Sequence, residues 1–171
     1  MTQRGFTLIE LVIVIVLLGI IAVTVIARWG GQQEYELVTL RDQLVTRLRL
    51  VQLRNMNEAN VVGSAPDARC SWLRIDDDRF ASATTAGTVS SCPAPAPIAT
   101  WDSATLTRGG LVTGQSGVRI RLPSGSSQFA LHFDRLGRPL GACLNGCVVT
   151  LSLDSFQDTV RIEAEGYIHA G

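Results

Sequence analysis

The sequence predicts an α+β protein: a long N-terminal helix, transmembrane and then amphipathic, packed on a small antiparallel β-rich globular head. Three observations predict it. An apolar run fills Phe6–Ala27 with a single charged residue, Glu10. Leucines then recur at three- and four-residue steps from Leu37 to Leu48 and on to Val51, the signature of one buried helix face. Beyond Asn60 the chain changes to short alternating segments separated by turn residues, which is strand texture.

The apolar run comes first. At 1.5 Å per residue it makes a helix roughly 33 Å long, enough to cross a hydrocarbon core of about 30 Å. Its many β-branched residues would suit a strand, but no strand runs this long, and lipid enforces the helix. Arg4 precedes the run, so the positive-inside rule leaves the N-terminus cytoplasmic and the remainder outside. A secretory signal would end sooner, at a small-residue cleavage site. Here the run ends in Arg28-Trp29-Gly30-Gly31 instead. Glu10 also argues against a plain anchor, because a carboxylate in an apolar span is costly and is kept for a specific partner.

The segment Arg4-Gly5-Phe6-Thr7-Leu8-Ile9-Glu10 resembles the class III signal of type IV pilins and type II secretion pseudopilins. The resemblance implies a division into a leader (1–5), a transmembrane and filament-core helix (6–29), an amphipathic helix continuing into the head (30–60) and the head (61–171). It implies that prepilin peptidase cuts between Gly5 and Phe6 and that Phe6 is then N-methylated. It implies that the Glu10 carboxylate meets the amino terminus of a neighbouring subunit during assembly, an attraction that low dielectric strengthens. Gly19 stands where many such helices carry a glycine that lets them loosen in the filament. The frequent downstream proline of the family is missing, since the first proline is Pro66. The implied partners are the peptidase, other pilins or pseudopilins and the inner-membrane assembly platform. The implied location is the bacterial inner membrane, single-pass with the head in the periplasm, and then a filament.

Leu37, Leu40, Leu44, Leu48 and Val51 form one stripe, with Arg41, Asp42, Arg47, Arg49 and Arg54 on other faces. They are read as the second half of one helix from about Thr7 to Asn57, with Gly30-Gly31 as a candidate joint. Strands are expected at Cys70–Ile75, Arg79–Ala83, Gly117–Leu122, Gln128–Phe133, Val148–Leu153 and Thr159–Ala164. Pro123–Ser127 is expected to join two of them as a hairpin. The proline-rich segment Ala86–Ala99 is expected to be a loop.

The C-terminal half, with Phe133-Asp134-Arg-Leu-Gly137-Arg-Pro139 followed by two strands and Gly166, resembles the GspH/FimT group of minor pseudopilins and minor pilins. It is also similar to minor pilins of the mannose-sensitive haemagglutinin pilus. This resemblance implies a small β-sandwich-like head and a minor subunit that initiates, caps or builds a pilus. A type II secretion pseudopilin and a DNA-binding competence pilin are the alternatives.

The four cysteines, Cys70, Cys92, Cys143 and Cys147, suit an oxidising compartment. Four cysteines allow three pairings. Cys70–Cys92 and Cys143–Cys147 are favoured, the latter stapling a turn bent at Asn145-Gly146. Neither pair has zinc-knuckle spacing, and no metal or cofactor is expected. Asp76-Asp77-Asp78 is read as a solvated turn, since the glycine and distal acid of an EF-hand loop are absent. His132, alternating with Phe129, Leu131 and Phe133 in a strand, is read as an outward-facing or hydrogen-bonded histidine rather than a catalyst, and His169 near the end as exposed. No Gly-x-Ser-x-Gly and no phosphate loop occurs, so no enzyme is predicted.

All fifteen basic residues are arginine, against fifteen acidic ones. Zero net charge draws the chain to no polyanion. Arg119, Arg121, Arg135, Arg138 and Arg161 are candidate phosphate contacts, but stacking aromatics are sparse and no nucleic-acid partner is expected.

Overall fold

The computed structural model describes residues 7–29, 32–57, 69–87 and 92–171, with the backbone alone for 22–29 and 32. The chain divides into two compact units, Met1–Glu36 and Leu37–Gly171. The first unit holds helix α1 (Leu8–Trp29). Every described side chain from Leu8 to Ile21 is exposed. Described side chains in α1 end at Ile21, and among the described residues no helix is long and apolar enough to cross a membrane. Of the helix expected from Thr7 to Asn57, the described residues form α1 and α2 (Gln32–Asn57). The candidate joint Gly30-Gly31 lies outside the described residues.

The second unit is built on α2. Its stripe Leu37, Leu40, Leu44, Leu48 and Val51 is 4% exposed or less. The stripe shares one hydrophobic core with two antiparallel sheets. One sheet has five strands in the order β3-β2-β1-β5-β6, the other four in the order β4-β7-β8-β9. The strands are β1 (Arg69–Asp76), β2 (Arg79–Ala86), β3 (Val112–Thr113), β4 (Arg119–Arg121), β5 (Gln128–Phe133), β6 (Pro139–Gly141), β7 (Cys147–Leu153), β8 (Phe156–Ile162) and β9 (Ile168–Ala170). Alternation does the sorting: Phe129, Leu131 and Phe133 of β5 and Val149, Leu151 and Leu153 of β7 turn inward, as a period of two requires.

Polar bonds seat the helix. Arg41 pairs with Asp158 of β8 at 2.9 Å. Arg49 donates to the Ile168 carbonyl at 2.7 Å. Gln52 Nε2 donates to two carbonyls at once, Gly137 at 2.7 Å and Gly166 at 2.6 Å. Asn55 occupies the next position of the apolar stripe and is 2% exposed. Its amide accepts from Ser71 N at 3.1 Å and donates to Ser71 O at 3.0 Å. Ser71 lies past the end of the β1–β5 pairing, which covers Leu73 to Asp76. Asn55 thus supplies the bonds that β5 does not, as buried backbone groups require.

Several sequence expectations are corrected. Pro123–Ser127 is not a hairpin loop: β4 pairs with β7 and β5 with β1, so the turn carries the chain from one sheet to the other. The expected strand Thr159–Ala164 is Phe156–Ile162, shifted to where a two-residue turn with Asp154 at φ 52° joins it to β7. Gly117–Leu122 shrinks to Arg119–Arg121. The strands β3, β6 and β9 were not anticipated, being two or three residues long. Helix α3 (Ser103–Gly109) was also not anticipated, although its signals are in the chain. Asp102 caps its start by accepting from Thr105 N at 2.7 Å, and Gly110 ends it at φ 60°. Asp76 is not part of a solvated turn. It is 7% exposed, bonded to Arg74 and to the Ile98 backbone N–H, while Asp77-Asp78 alone makes the β1–β2 turn.

Both cysteine pairs are bonded, Cys70–Cys92 across 22 residues and Cys143–Cys147 across 4. Loop-closure entropy makes the longer loop the larger contribution, about 3 kcal/mol against about 2. The double variant Cys70→Ser/Cys92→Ser is expected to melt below Cys143→Ser/Cys147→Ser by calorimetry. Equal melts would mean that the 92–97 segment is held by other bonds, such as Thr85 Oγ1 to the Pro93 carbonyl at 2.8 Å.

Candidate functional site

The N-terminal segment is the strongest candidate. Gly5 and Phe6 lie outside the described residues. Glu10 is exposed in the first turn of α1. Its N–H bonds the Thr7 carbonyl at 3.1 Å and approaches Thr7 Oγ1 at 3.4 Å. Thr7-Leu8-Ile9-Glu10 therefore has capping-box order, threonine before the helix and glutamate three residues on. Its carboxylate also sits at the positive end of the helix dipole. Local chemistry thus explains a Glu or a Gln at this position, but a Gln would serve the cap as well. The charge itself has no opposite partner among the described residues. Around Glu10 the helix presents Leu8, Ile9, Leu11, Ile13, Val14 and their successors as far as Ile21, all exposed. Gly19 has nothing within 4 Å of where a Cβ would stand.

The head brings some candidate arginines together and separates others. Arg119 and Arg121 flank buried Ile120 on β4 and point to the outer side of the four-stranded sheet. Across β7 they stand opposite Ser152 and Thr150. Arg161 of β8 shares that side, beside His169 of β9, with Glu163 4.0 Å from Arg161 and 3.2 Å from His169 Nε2. Arg135 and Arg138 lie instead on the β5–β6 turn of the other sheet.

Arg138 is occupied by Asp134. The Asp134 carboxylate accepts from the Leu136 and Arg138 backbone N–H groups at 2.9 and 2.8 Å and from Arg138 Nε at 2.7 Å. Burial works to raise this carboxyl, but the bonds from Arg138 and Leu136 outweigh it and hold it below its ordinary value. The Phe-Asp-x-x-Gly-x-Pro turn is therefore a self-bonded structural turn, and its Gly137 carbonyl is an anchor for Gln52.

His132 is half-buried on the outer side of β5, its ring 3.8 Å from that of Trp72. Its Nδ1 is buried without a partner among the described residues. Burial pushes the imidazole below 6.5. The folded state thus resists a proton that the unfolded chain accepts. Stability is unaffected above pH 6.5 and falls as pH drops below it, levelling once the folded-state value is passed. His132→Phe is expected to remove that fall below pH 6.5, measured by thermal melts. The Asp134 contribution acts lower, present above pH 3.8 and lost as pH falls through its depressed folded value. A His132→Phe variant with the parent's pH profile would contradict this assignment.

No group of His, Cys, Asp and Glu suited to a metal occurs among the described residues. Residues 1–26 match the prokaryotic N-terminal methylation motif. No curated protein matches the chain. Among solved structures, the crystal structure of the type IV minor pilin FimU of Pseudomonas aeruginosa is similar, at 10% identity over 78% of this chain and 90% of that one, with a TM-score of 0.46. Over its first 26 residues, then, the chain carries the prokaryotic N-terminal methylation motif.

Proposed function

We propose that this chain is a minor filament subunit that works by assembly. Prepilin peptidase removes residues 1–5, Phe6 becomes the methylated N-terminus, and the run Phe6–Ala27 crosses the inner membrane once until the subunit is drawn into a filament. The run extends past the described apolar stretch at both ends. The observation that carries the reading is α1 itself. It is apolar on every side, its described side chains are all exposed, and it bears one carboxylate. A helix apolar all round belongs in lipid or in a packed core. Like helices of other subunits supply such a core, and a neighbour's amino terminus supplies the partner that Glu10 lacks among the described residues. The head, with Leu37 onward closing its own core, is left to face partner subunits and the assembly platform. A pilus of the adhesion or motility type is the filament proposed.

Intact mass tests the first step. Expressed with prepilin peptidase, the chain is expected to lose Met1–Gly5 and gain one methyl group. An unchanged mass, or a cut near residue 30, would sink the reading.

A further inference from the structure

Beyond Val51 the core of the head gives way to polar residues. On the inner face of the five-stranded sheet, Ser82 stands opposite the core residue Leu73, and Thr84 opposite Ser71. The last turns of α2 bring Arg54 to this place, β1 begins at Arg69, and α3 contributes Thr105 and Arg108. Arg54, Arg69, Arg108, Ser82, Thr84 and Thr105 line a cleft of about 410 Å³, and a second hollow beside it shares Arg54 and Arg69. No carboxylate is among the described lining residues.

We propose that this cleft binds a tetrahedral oxyanion, a phosphate or sulfate group, through the guanidinium groups of Arg54, Arg69 and Arg108 with the Ser82 hydroxyl as a further donor. Two independent observations converge on it. The first is charge. Arg41, Arg74, Arg79 and Arg138 each pair with an aspartate, whereas among the described residues Arg54, Arg69 and Arg108 join no ion pair. Among the described residues Arg108 makes two long bonds, at 3.4 Å, to the Ala104 carbonyl and to Thr105 Oγ1. Three like charges around one partly enclosed hollow repel unless an anion joins them, and the guanidinium fork fits phosphate-like oxygens.

The second observation is Ser82. It is 7% exposed, and its Oγ is buried without a hydrogen-bond partner among the described residues. A buried hydroxyl left unpaired is costly and calls for a partner. The helices do not help an anion here, since α2 and α3 both direct their C-terminal ends to this region. The attraction therefore rests on the side chains. The volume falls within the range of about 300–1,000 Å³ for small-molecule sites. That leaves room for a phosphate or sulfate carried on a sugar as well as for the free ion.

The proposal stands apart from the filament reading and is tested on the full chain in detergent. Calorimetric titration is run with inorganic phosphate and, separately, with a hexose 6-phosphate. Saturable binding with one site per chain is expected. Arg54→Gln/Arg69→Gln is expected to weaken it at least tenfold. Ser82→Ala, which leaves no hydroxyl to satisfy, is expected to weaken it severalfold while melting no lower than the parent. Arg119→Gln/Arg121→Gln, on the far sheet, is expected to bind like the parent. Tighter binding of the sugar phosphate assigns an ester ligand, and tighter binding of inorganic phosphate assigns the free ion; either supports the site. No saturation with either probe, or equal affinity in the parent, Arg54→Gln/Arg69→Gln and Ser82→Ala, would overturn it.

Discussion

A Glu10→Gln chain is expected to be cut, methylated and inserted normally, yet to be depleted at least tenfold from filaments. The reasoning separates two roles that one residue can play. As the fourth residue of Thr7-Leu8-Ile9-Glu10, Glu10 suits the start of α1, and glutamine suits it equally. Only the charge can meet a neighbour's methylated amine. At 4 Å and an effective dielectric of 20 that attraction is about 4 kcal/mol, ample to set whether a subunit docks in register. Glu10→Gln is therefore expected to keep the helix start and to lose the proposed docking. Glu10→Ala removes both and is expected to match Glu10→Gln in filaments while lowering helix content slightly. Sheared-filament fractions probed beside membrane fractions give the readout. Normal filament incorporation of Glu10→Gln would reduce Glu10 to a helix cap and remove the electrostatic part of the proposed assembly mechanism.

Gly166→Ala is expected to be the most damaging single substitution in the head, at about 3–5 kcal/mol, or roughly 10–20 °C in Tm. Gly166 lies at φ 96° and is buried. A Cβ there would overlap the Gly137 carbonyl oxygen. That carbonyl and the Gly166 carbonyl share the two hydrogens of the Gln52 amide. One methyl group thus strains the backbone, pushes two loops apart and strands a half-buried amide. Gly125→Ala is the control. Gly125 is at φ 84° with nothing within 4 Å of the added carbon, so it reports the backbone strain alone, about 1–2 kcal/mol. Thermal melts of both variants separate strain from overlap. If the two melt alike, the Gly137–Gly166 crossing is not what holds the C-terminal strands to α2.

The same crossing accounts for the motif that the C-terminal half displays. Asp134 folds the turn on itself, Gly137 offers its carbonyl, and Gly166 makes room. A pattern that reads in sequence as a family signature is, physically, the latch between one turn, one loop and one helix.

Local physics was legible in the amino-acid sequence. The apolar run with its lone Glu10, the Leu37–Val51 stripe and the alternation in Gln128–Phe133 and Val148–Leu153 each follow from periodicity within a single element, and the α+β class follows from their order. The favoured cysteine pairing also agrees with the bonds observed. What only the tertiary structure decided depends on partners far apart in the chain. Pro123–Ser127 looks like a hairpin loop because both flanks alternate, yet β4 and β5 join different sheets. The strands β3, β6 and β9 exist because longer neighbours offer an edge. Asn55 continues the leucine stripe as a polar residue because β5 stops short of Ser71. Arg54, Arg69 and Arg108 read as scattered charges until a helix end, a strand start and a short helix bring them to one cleft. Side-chain spacing sets periodicity within an element, whereas pairing between distant segments decides which elements meet, and no local pattern encodes that choice.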